Sequence, residues 1–166
     1  MMPEELLSGA RSVVAFFVPF HTSVVRAHSR HRETVARQWA LAYAETNQLL
    51  RRITDHLIKL LAERGIGAVA EPPTENFDPV TLVGRWSHKS VAVIAGLDSF
   101  GLHQMVITDA GCAGRGGSLV TDAQLPGAAT GLRERCLEAS TSLGHLGPAE
   151  VCGKCAVGPC AFQSPV

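Results

Sequence analysis

Between Glu33 and Arg64 the chain carries an apolar spacing that a helix alone can bring to one side. Leu49, Leu50, Ile53, Leu57, Leu60 and Leu61 recur at three- and four-residue steps, with Arg51, Arg52, Asp55 and Lys59 between them. Gly65 follows directly as a C-cap. A long helix with one apolar stripe has to cover that stripe with a second layer. The apolar run from Ser12 to Phe20 is the first candidate for that layer. Its residues are mostly β-branched or aromatic, and Pro19 closes it, as expected of a buried strand.

Further elements follow by the same reasoning. Gly67 to Ala70 reads as a short strand ended by Pro72 and Pro73, and Thr74 to Arg85 as an irregular segment too long to be a plain connector. Ser87 is placed to cap a small-residue helix through Val91-Ala92-Val93-Ile94-Ala95, which Gly96 stops. Leu102 to Thr108 and Ser118 to Thr121 read as strands separated by a glycine turn, "GCAGRGG", with an antiparallel pair expected near residues 102 to 122. A last helix is expected from Ala129 to Ser140. The order of elements gives an α+β or α/β class, with three strand segments (Ser12 to Phe20, Leu102 to Thr108, Ser118 to Thr121) in one sheet packed by the leucine helix.

Composition removes several functional classes. Lysine plus arginine and aspartate plus glutamate balance at 15 each, so no charge excess favours nucleic acid or an acidic membrane surface. Val13 to Val18 is apolar but too short to span a bilayer. The acidic start, Met1-Met2-Pro3-Glu4-Glu5, lacks the basic region of a secretory signal. A cytoplasmic protein is the expectation. The basic stretch from His21 to Arg32 reads as a solvated loop or helix start, with a site for an anionic group as the alternative.

Cysteine is used five times, and four of those uses fall late: Cys136, Cys152, Cys155 and Cys160, spaced C-x15-C-x2-C-x4-C. In a reducing compartment such a cluster points to metal rather than to disulfides. A CxxC turn lets two thiolates converge on one centre; Gly153 and Gly158 leave room and backbone N–H groups open to the sulfurs, and Pro159 fits the same tight, open turn. Cys136 would arrive from a helix end as the distant fourth ligand. Four thiolates suit structural zinc or an iron–sulfur cluster. Zinc motifs usually come as two CxxC pairs, so the three-plus-one pattern leans toward iron–sulfur. Cys112, alone in its glycine turn, reads as a small buried residue that the metal does not need.

The stretch from Trp86 to Leu125 resembles a segment of the epoxyqueuosine reductase-like iron–sulfur proteins, relatives of the reductive dehalogenases. The likeness rests on the turn Ala95-Gly96-Leu97-Asp98-Ser99-Phe100-Gly101 and on the strands Met105-Val106-Ile107-Thr108 and Gly117-Ser118-Leu119-Val120-Thr121-Asp122. "LLSGARSVVAFFVPF" is similar to the family's first core strand, and the cysteine tail to its ferredoxin-like region.

This resemblance implies a nitroreductase-like, corrinoid-domain-like α/β sandwich over residues 1–130 and a ferredoxin-like tail over 131–166. It implies one 4Fe–4S cluster on Cys136, Cys152, Cys155 and Cys160, and a cobalamin-type cofactor facing Gly96, Phe100, Gly101 and His103. Electron transfer to a corrinoid or to a redox partner protein is the expected function. The alternatives are a structural zinc module with the same four cysteines and a subunit of a corrinoid-dependent reductase. No acid here matches the family's catalytic carboxylate, Asp78 being only a neighbour of that position, so the catalytic residue stays unassigned. His88, His103 and His145 read as surface or capping residues.

Overall fold

The computed structural model describes residues 1–127 except 32, 98, 102 and 103. The cysteines of the tail, His103, His145 and the helix expected from Ala129 lie outside the described residues.

The chain is α+β, a mixture of helices and small antiparallel sheets. After a single turn of helix, α1 (Pro3–Leu6), the first strand β1 (Ser12–Pro19) forms where the β-branched and aromatic run predicts it. Then come α2 (Thr22–Ser29), the long helix α3 (Arg37–Ala62) and the two-residue strand β2 (Ala68–Val69). Helix α4 (His88–Ile94), two short strands β3 (Ser99–Phe100) and β4 (Val106–Ile107), and β5 (Gly114–Thr121) complete the described chain. The main sheet has the order β1-β5-β2, with β5 antiparallel to both neighbours. Ser12 pairs with Thr121 and Pro19 with Gly114, so β1 and β5 match along their full lengths. Pro19, which cannot donate a ladder hydrogen bond, stands at the end of an edge strand, where this costs least.

The capping signals act as the sequence predicts. Gly65 takes φ +72°, and the Ile66 amide turns back to the Leu61 carbonyl at 3.0 Å. The Ser87 hydroxyl accepts from the Ser90 amide at 3.2 Å and starts α4. At the other end of α4, Gly96 follows the C-cap Ala95 with φ +76°.

Two expectations are corrected. Of the segment expected as a strand from Leu102 to Thr108, the described part does not join the main sheet: Val106 and Ile107 are extended, and they pair with Phe100 and Ser99 in a separate two-stranded sheet. Tight turns cut that segment short on both sides. Gln104 takes φ +58° before it, and after it the Thr108 hydroxyl donates to the Gly111 carbonyl at 2.8 Å. The second correction concerns the glycine run: Gly114, Gly116 and Gly117 belong to β5 rather than to a turn. A Cβ at Gly114 would collide with the Val18 carbonyl and the Phe17 ring, so glycine is what lets β1 and β5 close together there.

The core is small and centred on β5. Leu119, Val120, Ile107 and Leu50 are nearly inaccessible, with Ser118 and Thr121 buried beside them. α3 packs on β5 and β2, as its apolar face requires. That face is narrower than the leucine spacing suggests. Thr46, Leu50 and Thr54 are buried, whereas Leu49 is 37% exposed. A three-stranded sheet can cover only part of a 26-residue helix, and α2 packs against the start of α3.

Candidate functional site

β5 places two polar side chains on opposite faces of the sheet, because Ser118 and Arg115 are an odd number of residues apart. Ser118 faces the start of α4. Its hydroxyl accepts from the Trp86 indole N–H at 2.9 Å and lies 2.8 Å from Nδ1 of His88. Nε2 of His88 lies 3.1 Å from the Pro72 carbonyl. A carbonyl can only accept, so Nε2 carries the proton, and Nδ1 accepts from the Ser118 hydroxyl. The hydrogen bonds therefore run in one direction from Trp86 through Ser118 to His88 and on to Pro72. Burial disfavours the charged imidazole and lowers the pKa of His88 below its ordinary value, against a raising effect of the Pro72 carbonyl; nearby Arg115 lowers it further. His88 is thus a half-buried connector rather than a surface residue. It ties the segment after β2 to the centre of the sheet.

Arg115 faces α3. Its Nε donates to the Asn47 side-chain oxygen at 2.9 Å, a terminal nitrogen donates to the Pro73 carbonyl at 3.2 Å, and the guanidinium lies over the Tyr43 ring at 4.3 Å. All three partners are neutral. Among the described residues no carboxylate forms an ion pair with it.

An open cleft of about 420 Å³ lies beside these groups, within the usual range for small-molecule sites. Phe17, Trp86, Leu97 and Met105 give it apolar walls, and His88, Lys89 and Arg115 line it with nitrogen. Gly114 and Gly116 also line it; at Gly116 a Cβ would meet only the Phe16 carbonyl, at 3.7 Å, so the absent side chain there leaves open space. A smaller hollow of about 140 Å³, against Phe20, Trp39 and Tyr43, shares Cys112, Met105 and Arg115 with the cleft. Cys112 is buried, as a lone cysteine in a glycine turn predicts, and it stands at the boundary of the two spaces.

The residues of the proposed cofactor-facing turn sit next to this cleft. Gly96 ends α4; Phe100 is 40% exposed on β3; Gly101 is buried, its amide donating to the Met105 carbonyl at 2.9 Å. Their neighbours Leu97 and Met105 form the wall of the cleft. Asp78 is elsewhere. It is fully exposed, and its carboxylate caps a turn by accepting from the Thr81 and Val80 amides at 2.7 and 2.8 Å. Those bonds, Thr81's first, hold its pKa below the ordinary carboxylate value.

In the basic segment after β1, His28 stacks on Trp39 at 4.6 Å and Phe20 meets the same indole edge-on at 4.9 Å. Nδ1 of His28 accepts from the Ala36 amide at 3.4 Å. That histidine anchors α2 to the start of α3.

Sequence reasoning passed over Trp86, Ser118 and Arg115. The one local signal was an arginine in a segment of otherwise small residues, but the partners are 32 positions away for Trp86 and 68 for Arg115.

Among the described residues no helix is long and apolar enough to cross a membrane, and no group of three or more His, Cys, Asp or Glu is arranged to hold a metal ion. Fold and cleft together describe an α+β protein with an open cleft, lined in part by Lys89 and Arg115, at the Gly114 end of its central strand. No protein-family model, curated protein or solved structure matches the chain.

Proposed function

We propose that the chain is an iron–sulfur protein that holds one 4Fe–4S cluster through Cys136, Cys152, Cys155 and Cys160 and passes electrons to a partner. The observation that carries this reading is the C-x15-C-x2-C-x4-C spacing, with glycine and proline around the last three cysteines. Four thiolates are the complete donor set of such a cluster, and backbone amides near the sulfurs tune its potential. All four lie outside the described residues, so the described body's part in this reading is to carry the cluster and offer a surface beside it. In this reading the α+β body is a short corrinoid-domain-like sandwich of the nitroreductase kind. Bound, the cluster would supply one-electron transfer.

The cleft bears on the acceptor. At about 420 Å³ the part formed by the described residues suits a drug-sized molecule rather than a whole corrinoid with its nucleotide arm. A redox partner protein is therefore the acceptor we favour over cobalamin. With Asp78 committed to a turn and no other acid at the family's position, we assign no catalytic residue.

Anaerobic purification of the full chain, followed by iron, sulfide and zinc analysis and a visible spectrum, tests the reading. The expected result is a brown protein with about four irons per chain, and Cys155→Ser should lose the colour while Cys112→Ser keeps it. A colourless protein with one zinc per chain would replace the cluster by the structural zinc alternative.

A further inference from the structure

We propose that the cleft at the Gly114 end of β5 binds a small aromatic organic anion, with Arg115 as its counter-charge. The inference does not depend on the cysteine tail.

Arg115 carries the argument. Arg115 is half-buried, and a guanidinium that has lost part of its hydration is commonly answered by a carboxylate, because neutral partners offset only part of that loss. Here the Asn47 oxygen, the Pro73 carbonyl and the Tyr43 ring fix the plane of the guanidinium without neutralising it. Two of its five N–H donors are used by those oxygens. An arginine held in plane is well suited to the paired oxygens of a carboxylate, sulfonate or phosphate.

Other cleft groups add to the same field. The Lys89 ammonium is held at the rim by the Gln104 carbonyl at 3.1 Å. His88 is a hydrogen-bonding connector between Ser118 and Pro72 and, when neutral, leaves Lys89 and Arg115 as the cleft's charged groups. Glu71 is the acid near His88, and no ion pair joins it to Arg115 among the described residues.

The rest of the cleft selects the body of the ligand. Phe17, Trp86, Leu97 and Met105 offer apolar and aromatic surface, to which a flat ring binds better than a sugar or a polyamine. Inorganic anions would reach Arg115 but leave those walls uncovered. The opposing reading makes Arg115 a clamp joining α3 to the segment after β2. Such a clamp would need its neutral contacts but not the adjoining space, and Gly116 argues for the space. A Cβ there would meet only the Phe16 carbonyl, at 3.7 Å, so the strand itself does not require glycine at this position.

Fluorescence titration of the full-length chain with two probes tests the inference. One is 8-anilinonaphthalene-1-sulfonate; the other is N-phenyl-1-naphthylamine, the same ring skeleton without the anion. Wild-type protein should bind the sulfonate at least about tenfold more tightly, as one charge-assisted hydrogen bond provides. Arg115→Gln should erase that preference while leaving the neutral probe within about twofold. Gly116→Val, which adds a side chain to a lining position, should weaken both probes. Equal affinity of wild type for the two probes overturns the proposal. So does unchanged sulfonate binding in either variant. Should Arg115→Gln fail to fold, the wild-type preference and Gly116→Val decide the question between them.

Discussion

Ser118 and Arg115 stand three positions apart on the same strand and meet opposite fates. At Ser118 every polar group is answered within the protein: an indole N–H, a hydroxyl, an imidazole and a carbonyl close a directional chain. At Arg115 geometry is fixed but charge is not, since its partners among the described residues are all neutral. The difference separates a polar network centred on the buried Ser118 from a half-buried charge. A saturated network stabilises and orients a fold, because unmaking any link strands a buried group. A charge held without a counter-ion contributes little to the fold and leaves an interaction for something else to complete.

This contrast predicts an order of effects. Ser118→Ala should cost the most, about 1–3 kcal/mol, because it leaves the Trp86 N–H and the His88 Nδ1 without partners in a buried place. Urea unfolding of the variant beside wild type measures it. A loss within error would mean that water or a rearranged side chain replaces the hydroxyl at no cost, and the network would not be a stabilising one.

Arg115→Gln should cost less, about 1 kcal/mol or below, since the two hydrogen bonds and the ring contact it loses are partly offset by relief of an uncompensated cation. The same unfolding experiment ranks the two. If Arg115→Gln proved the more destabilising, Arg115 would be the structural clamp and the comparison would invert.

The smallest effect is the pH dependence of the network. The folded pKa of His88 lies below the 6.5 of an unfolded histidine, so the unfolded chain binds the proton more readily. The contribution of His88 is therefore complete above 6.5 and is lost as pH falls from there through the folded pKa. Urea midpoints at about pH 7.5 and about pH 5 should differ more in wild type than in His88→Gln, which cannot titrate there. Equal differences would assign the acid sensitivity to other groups.

What was legible in the sequence follows the range of the forces involved. β1, the body of α3, the Gly65 and Ser87 caps and the end of α4 at Gly96 are set by neighbours within a turn or two, and all were predictable. The leucine stripe announced a buried face but not its width. Which turns of α3 are covered depends on the breadth of the sheet beneath them, so Leu50 is buried while Leu49 stays partly open. The glycine run misled for a related reason. Glycine is the residue of turns, yet at Gly114 it is needed because another strand's carbonyl and ring come too close for a Cβ.

By itself, then, the sequence determined most of the local elements, the mixture of helix and strand and the four-cysteine spacing of the tail, because each is written in residues close together along the chain. Tertiary structure alone decided that β5 runs between β1 and β2 rather than beside β4, and that Trp86 and His88 meet over Ser118. It also decided that Arg115 faces a cleft with no carboxylate to pair with among the described residues. These are contacts between segments tens of residues apart, and their free energy exists only once the strands have paired. No local preference of an arginine or a serine encodes which distant group it will find there.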